Sequence, residues 1–86
     1  MDLSVELTFY PFQESFIPPI KTTIEHLNSF KGVSVETFPT ATILAGEYDR
    51  VMAAINDTVA WSYREFGRCV FVAKFIPGTN VLTREV

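Results

Sequence analysis

The sequence predicts an α+β sandwich in which a four-stranded antiparallel sheet carries two helices on one face. Three patterns in the chain lead to it. Apolar residues alternate strictly at the start of the chain, recur at three- and four-residue spacing in two later stretches, and fill β-branched runs bounded by Pro or Gly in between.

The first strand runs from Leu3 to Tyr10. Leu3, Val5, Leu7 and Phe9 share one face and Ser4, Glu6, Thr8 and Tyr10 the other, which is the period of a strand with one face in a core. Pro11 ends it, because proline cannot donate to a sheet ladder. Ile17, Ile20, Ile24 and Leu27 then line one face of a helix. Ser15 is its expected N-cap, and Pro18 and Pro19 are tolerated in the first turn, where the N–H groups have no intrahelical partner to lose. Asn28 to Gly32 forms the stop.

Val33–Phe38 and Thr40–Gly46 are the second and third strands, broken at Pro39. From Tyr48 the spacing returns to helical, with Met52, Ile55, Val59, Ser62 and Phe66 on one face and Gly67 as the stop. Arg68–Ile76 is the last strand. The order β-α-β-β-α-β, closed by two right-handed crossovers, is the ferredoxin-like arrangement with the first and third strands central. The chain of 86 residues is long enough for one domain, expected over residues 1–80 with a C-terminal tail at 81–86.

Helices cover only one sheet face, so the other residue set needs a reason. Val33, Val35, Ala41, Ile43, Ala45, Cys69, Phe71, Ala73 and Phe75 are expected inside. Ser34, Glu36, Phe38, Thr40, Thr42, Leu44, Val70, Val72, Lys74 and Ile76 are then expected on the open face beside Glu6, Thr8 and Tyr10. Apolar residues make up 48% of the chain, more than one small core needs, and the mixed open face points to a homodimer or homotetramer with a polar pocket at or beside the junction. Trp61 lies off the second helix's apolar stripe, which suits an interface or a helix-edge contact equally.

The net charge is −3 and the seven Lys/Arg are scattered singly, so no basic stripe is present to track a nucleic acid backbone. Membrane insertion is not expected either, because no apolar run approaches the roughly 18 residues a spanning helix needs. The single Cys69 and the lack of a signal-peptide pattern at Met1–Ser4 suit a cytoplasmic protein. His26, the one histidine, lies far from the helix's core face and is expected to be exposed and inert. One His and one Cys in these positions make neither a nucleophile–base pair nor a metal centre, and isolated glycines make no phosphate loop. Glu6 and Glu36 are the one candidate carboxylate pair for acid–base work, on separate strands. The chain is read as a binding protein, not an enzyme, with no cofactor.

Three segments in order carry a family resemblance: Leu7-Thr8-Phe9-Tyr10-Pro11 with Phe16-Ile17 beyond it, Thr42 four residues before Gly46, and Phe75-Ile76-Pro77-Gly78. With them the chain resembles the YkoF-like superfamily of thiamine- and hydroxymethylpyrimidine-binding proteins. The resemblance implies a ferredoxin-like domain that pairs with another copy and binds a thiamine-like pyrimidine in salvage or transport. Ala41 stands where that family often has a serine, while Thr42 keeps the hydroxyl. An aminopyrimidine's ring nitrogens suit the hydroxyls of Thr8, Thr40 and Thr42, and its amine suits Glu6 or Glu36. Tyr10 or Phe38 would stack on the ring. The same fold also hosts regulatory or interaction modules and cofactor-free dimeric α+β-barrel enzymes, and these stand as alternatives.

Overall fold

The computed structural model describes residues 1–12 and 17–83, with Ile17 described by its backbone alone. Ser15, the expected N-cap, lies outside the described residues. The elements are β1 (Asp2–Pro11), α1 (Ile17–Leu27), β2 (Val33–Thr37), β3 (Thr42–Glu47), α2 (Tyr48–Phe66) and β4 (Cys69–Pro77). The strands lie in the order β2-β3-β1-β4, each antiparallel to its neighbour. This is the ferredoxin-like α+β arrangement expected from the sequence, with β1 and β3 central.

Directly opposed residues of neighbouring strands share a sheet face, so the register assigns the faces. Val5 stands opposite Leu44 and Phe75, and Leu7 opposite Thr42 and Ala73. Leu3, Val5 and Leu7 are buried with Leu27, Leu44, Val51 and Ala54 in one core beneath the helices. The sequence-based assignment of β3 is therefore inverted. Leu44 and Thr42 face the helices, while Ile43 and Ala45 lie on the open side. The run Ile43-Leu44-Ala45 is apolar on both faces, so alternation could not choose between them, and the larger side chain filled the core. β2 has the expected faces, with Val33 and Val35 opposite Gly46 and Leu44.

The α2 stripe is also displaced by about one residue from that expected. Val51, Ala54, Thr58 and Ser62 are its buried residues, whereas Val59 is 44% exposed. Small side chains at 54, 58 and 62 let the helix approach the sheet closely, and Met52 and Ile55 pack at the margin of the core. The helix starts at Glu47, whose carboxylate accepts from the backbone N–H of Tyr48 (2.9 Å) and Asp49 (3.3 Å). The Asp49 amide, and after it the terminal ammonium, hold that carboxyl below its ordinary range. Gly67 closes the helix, its N–H donating to the Tyr63 carbonyl at 2.9 Å.

His26 is not an idle surface residue. Its Nε2 is 2.7 Å from an Asp57 carboxylate oxygen, its ring lies on Trp61 with centroids 4.0 Å apart and planes within 9°, and Phe30 meets it edge-on. The helical spacing placed it off the core face correctly, but that flank is the seam between α1 and α2. Trp61 takes the helix-edge role there.

The open face is covered at one end. Ser4 donates to the Thr79 carbonyl at 2.8 Å and accepts from the Val81 N–H at 2.9 Å. The segment after β4 thus crosses the sheet at Ser4, and Ala45, the cross-strand neighbour of Ser4, is fully buried on that side. Gly46 allows the close start of β2 beside it: a Cβ there would meet the Gly32 carbonyl oxygen at 2.6 Å.

Candidate functional site

Pairing between β1 and β3 ends at Leu7–Thr42, but β1 continues alongside β4 as far as Pro11 opposite Cys69. Residues Thr8–Pro11 consequently have no strand partner on their β3 side. The β2–β3 turn stands in that gap, closed by the Phe38 N–H donating to the Ala41 carbonyl at 2.8 Å. A long contact of 3.4 Å from the Thr8 hydroxyl to the Thr40 carbonyl ties the turn to β1. Because α1 roofs the gap from the helix side, a cavity is left between helix, turn and strand edge.

The inner compartment has a volume of about 140 Å³. Ile20, Thr23, Ile24 and Leu27 of α1 form one wall, and Leu7, Thr42 and Thr37 form the sheet side. Phe38, Pro39, Thr40 and Ala41 of the turn also border it. The hydroxyls of Thr37 and Thr42 are 3.2 Å apart and share a hydrogen bond. An outer, more open compartment of about 630 Å³ adds Tyr10, Pro11 and Phe12, and Thr8, Phe9, Ile20, Pro39 and Thr40 border both. Phe9 is held by Phe71 (centroids 4.8 Å) and Phe66 (6.2 Å). The Arg68 guanidinium lies 5.7 Å from the Phe12 ring centre, placing a cation beside the outer compartment.

Of the residues singled out in the sequence, Thr8, Tyr10, Phe38, Thr40 and Thr42 converge on this cavity. Thr8 and Tyr10 border it from the open-face side of β1, as expected. Thr42 enters from the helix side, and Phe38 from a turn instead of a strand, so the cavity lies at the strand gap beneath α1 and not across the open sheet face. Glu6 and Glu36 are not part of it. Both stand opposite Ile43 on the open face, one on each side of it, and Glu6 lies 3.9 Å from the Lys74 ammonium. Thr23 and Thr37 are additions the sequence reasoning missed. Thr23 did carry a signal, as a polar residue at the core-facing position between Ile20 and Leu27.

The cavity offers apolar contacts and neutral hydrogen-bonding groups. Its polar side chains are hydroxyls, which donate and accept hydrogen bonds but stay neutral at ordinary pH. Cys69 is half-buried on the opposite edge of β1, and burial pushes its thiol up from the ordinary value, leaving little of the nucleophilic thiolate at neutral pH. Among the described residues no group of three His, Cys, Asp or Glu side chains could hold a metal ion, and no helix is long and apolar enough to cross a membrane.

No family model matches the chain, and no curated protein matches it. Solved structures do. A Streptococcus pneumoniae protein superposes with a TM-score of 0.83 at 24% identity, over 96% of this chain and 92% of that one. A hypothetical protein of Methanocaldococcus jannascii gives 0.78 at 21%, over 98% and 84%. A Thermotoga maritima protein named for a proposed role in thiamine biosynthesis/salvage also gives 0.78 at 21%, over 87% and 82%. The chain therefore shares the fold of these proteins along nearly its whole length.

Proposed function

We propose that this domain binds a thiamine-like pyrimidine in the cavity between α1 and the β2–β3 turn, without transforming it. The observation that carries the reading is a ring-sized, mostly apolar cavity whose polar side chains are hydroxyls. A cavity of about 150 Å³ holds a benzene molecule, so about 140 Å³ matches one six-membered ring. Threonine hydroxyls can donate to ring nitrogens and accept from an exocyclic amine. The role named for the Thermotoga maritima neighbour and the family resemblance of the sequence support the same ligand class, in salvage or transport. A second ring would extend into the outer compartment beside Tyr10 and Phe12. Arg68 disfavours a cationic ring there, which ranks hydroxymethylpyrimidine, or a ligand with an anionic substituent, ahead of thiamine itself.

The test is a thermal-shift and calorimetry panel with hydroxymethylpyrimidine, thiamine, thiamine phosphates and several amino acids. A ligand at about 100 times its Kd adds about 2.7 kcal/mol and raises Tm by several degrees in a domain this size. Saturable binding by a pyrimidine is expected. Response to amino acids alone would favour the regulatory module, and turnover of a quinone-like substrate the enzyme.

The binding unit is proposed to be a homo-oligomer. β4 is an edge strand with Val70 (40%), Val72 (55%) and Phe75 (47%) exposed, and long apolar edges of this kind invite pairing. Light scattering behind size exclusion is expected to give a dimer or tetramer that Val72→Lys weakens. A wild-type monomer at high concentration refutes it.

A further inference from the structure

Among the described residues, three buried hydroxyls have no hydrogen-bond partner in the protein: those of Thr23, Thr58 and Ser62. All three sit on helices, where a threonine or serine has a ready acceptor in the carbonyl four residues earlier. Thr22 uses that option, donating to the Pro18 carbonyl at 2.9 Å. Its neighbour Thr23 does not, although it is only 2% exposed. An unpaired buried hydroxyl destabilises the free protein, and valine would fill the same space without that penalty.

What separates Thr23 from the other two is position. Thr23 forms part of the inner cavity wall, on the helix side, whereas Thr58 and Ser62 do not border the cavity. The sheet side carries the Thr37–Thr42 hydroxyl pair. A ligand in the cavity is therefore flanked by hydroxyl-bearing walls on two sides, one provided by α1 and one by β2 and β3.

We infer that Thr23 is a specificity residue whose missing partner is the ligand. The Thr23 oxygen is covered in the free protein, so it reaches the ligand by rotation of the side chain as the ring enters. The site then takes a heteroaromatic ring with hydrogen-bonding groups on two edges, one for Thr23 and the other for Thr37–Thr42. A plain hydrocarbon ring of the same size leaves the hydroxyl unsatisfied and is discriminated against, since a pocket built to pair a polar group loses that pairing with an analogue lacking it. The unpaired hydroxyl is then the counterpart of a stability–function trade-off, in which the free protein is less stable than it could be because the bound state uses the group. This rests on the ring-binding function proposed above.

The test compares wild type with Thr23→Val, Thr23→Ser and Thr58→Val, measuring Tm without ligand and affinity for hydroxymethylpyrimidine, thiamine and benzene. Thr23→Val is expected to raise Tm by about 4–8 °C while weakening pyrimidine binding roughly tenfold or more. Thr23→Ser keeps the hydroxyl and should bind within a fewfold of wild type. Thr58→Val should also raise Tm but leave affinity unchanged, separating a buried hydroxyl from a ligand-facing one. If Thr23→Val binds pyrimidines as wild type does, or if wild type binds benzene equally well, the role of Thr23 is overturned while ring binding stands. If wild type binds no ring compound, the proposed function falls and this inference with it.

Discussion

Leu44→Ala is expected to lower stability by about 2–5 kcal/mol, the usual cost of emptying a buried leucine site, while Ile43→Ala costs about 1 kcal/mol. Leu44 is fully buried opposite Val5 and belongs to the core cluster beneath the helices. Ile43 is half-buried on the open face beyond the reach of the helices. A domain of this length holds on the order of 4–13 kcal/mol in total, so the leucine variant sits near the limit of folding. Urea titration of both variants checks the register of β3 directly. A costlier Ile43→Ala would mean that β3 presents its other face to the helices, and would take Thr42 out of the cavity.

Trp61→Ala carries the second large effect, about 2–4 kcal/mol by comparison with other large aromatic truncations and reduced because the ring is only half-buried. Trp61 stacks on His26 and meets Phe66 edge-on at 5.7 Å, so its removal opens the seam between α1 and α2. His26→Ala should cost less, since it leaves Trp61 in place and removes a polar contact with a half-exposed Asp57. As Trp61 is the one tryptophan, its emission reports on the seam in wild type, and denaturation followed by circular dichroism serves all three proteins. Trp61→Ala within about 0.5 kcal/mol of wild type, as for an ordinary surface change, would show that the helix pair is held by its contacts with the sheet alone. Because α1 is one wall of the cavity, a loosened seam is also expected to weaken ligand binding.

Part of the cavity is legible in the amino-acid sequence. Thr8, Tyr10, Thr40 and Thr42 carry hydroxyls near strand ends, and their types alone suggest a neutral, hydrogen-bonding site. Glu6 and Glu36 look equally suitable but lie opposite Ile43, where β1, β2 and β3 are still paired and no gap opens, which residue type cannot reveal. Thr23 is hidden because a polar residue in an apolar helical stripe reads as noise until its surroundings are known.

Local periodicity was enough for the element order, for the helix-side face of β1, β2 and β4, and from them for the ferredoxin-like fold, although Ala73 and Phe75, expected inside on that face of β4, are left exposed at the sheet edge. Each of these follows from which residues repeat at a spacing of two or of three to four, a property of the chain alone. The buried face of β3, the rotation of α2 and the place of the cavity came from packing between distant segments. Ile43-Leu44-Ala45 is apolar on both faces, and two of the four buried positions of α2 carry hydroxyls (Thr58 and Ser62) that do not read as an apolar stripe, so neither could be resolved without the partners they pack against. The cavity exists because β3 stops pairing at Thr42 while β1 runs on to Pro11. That mismatch belongs to strand pairing between distant segments, and no single stretch of sequence contains it.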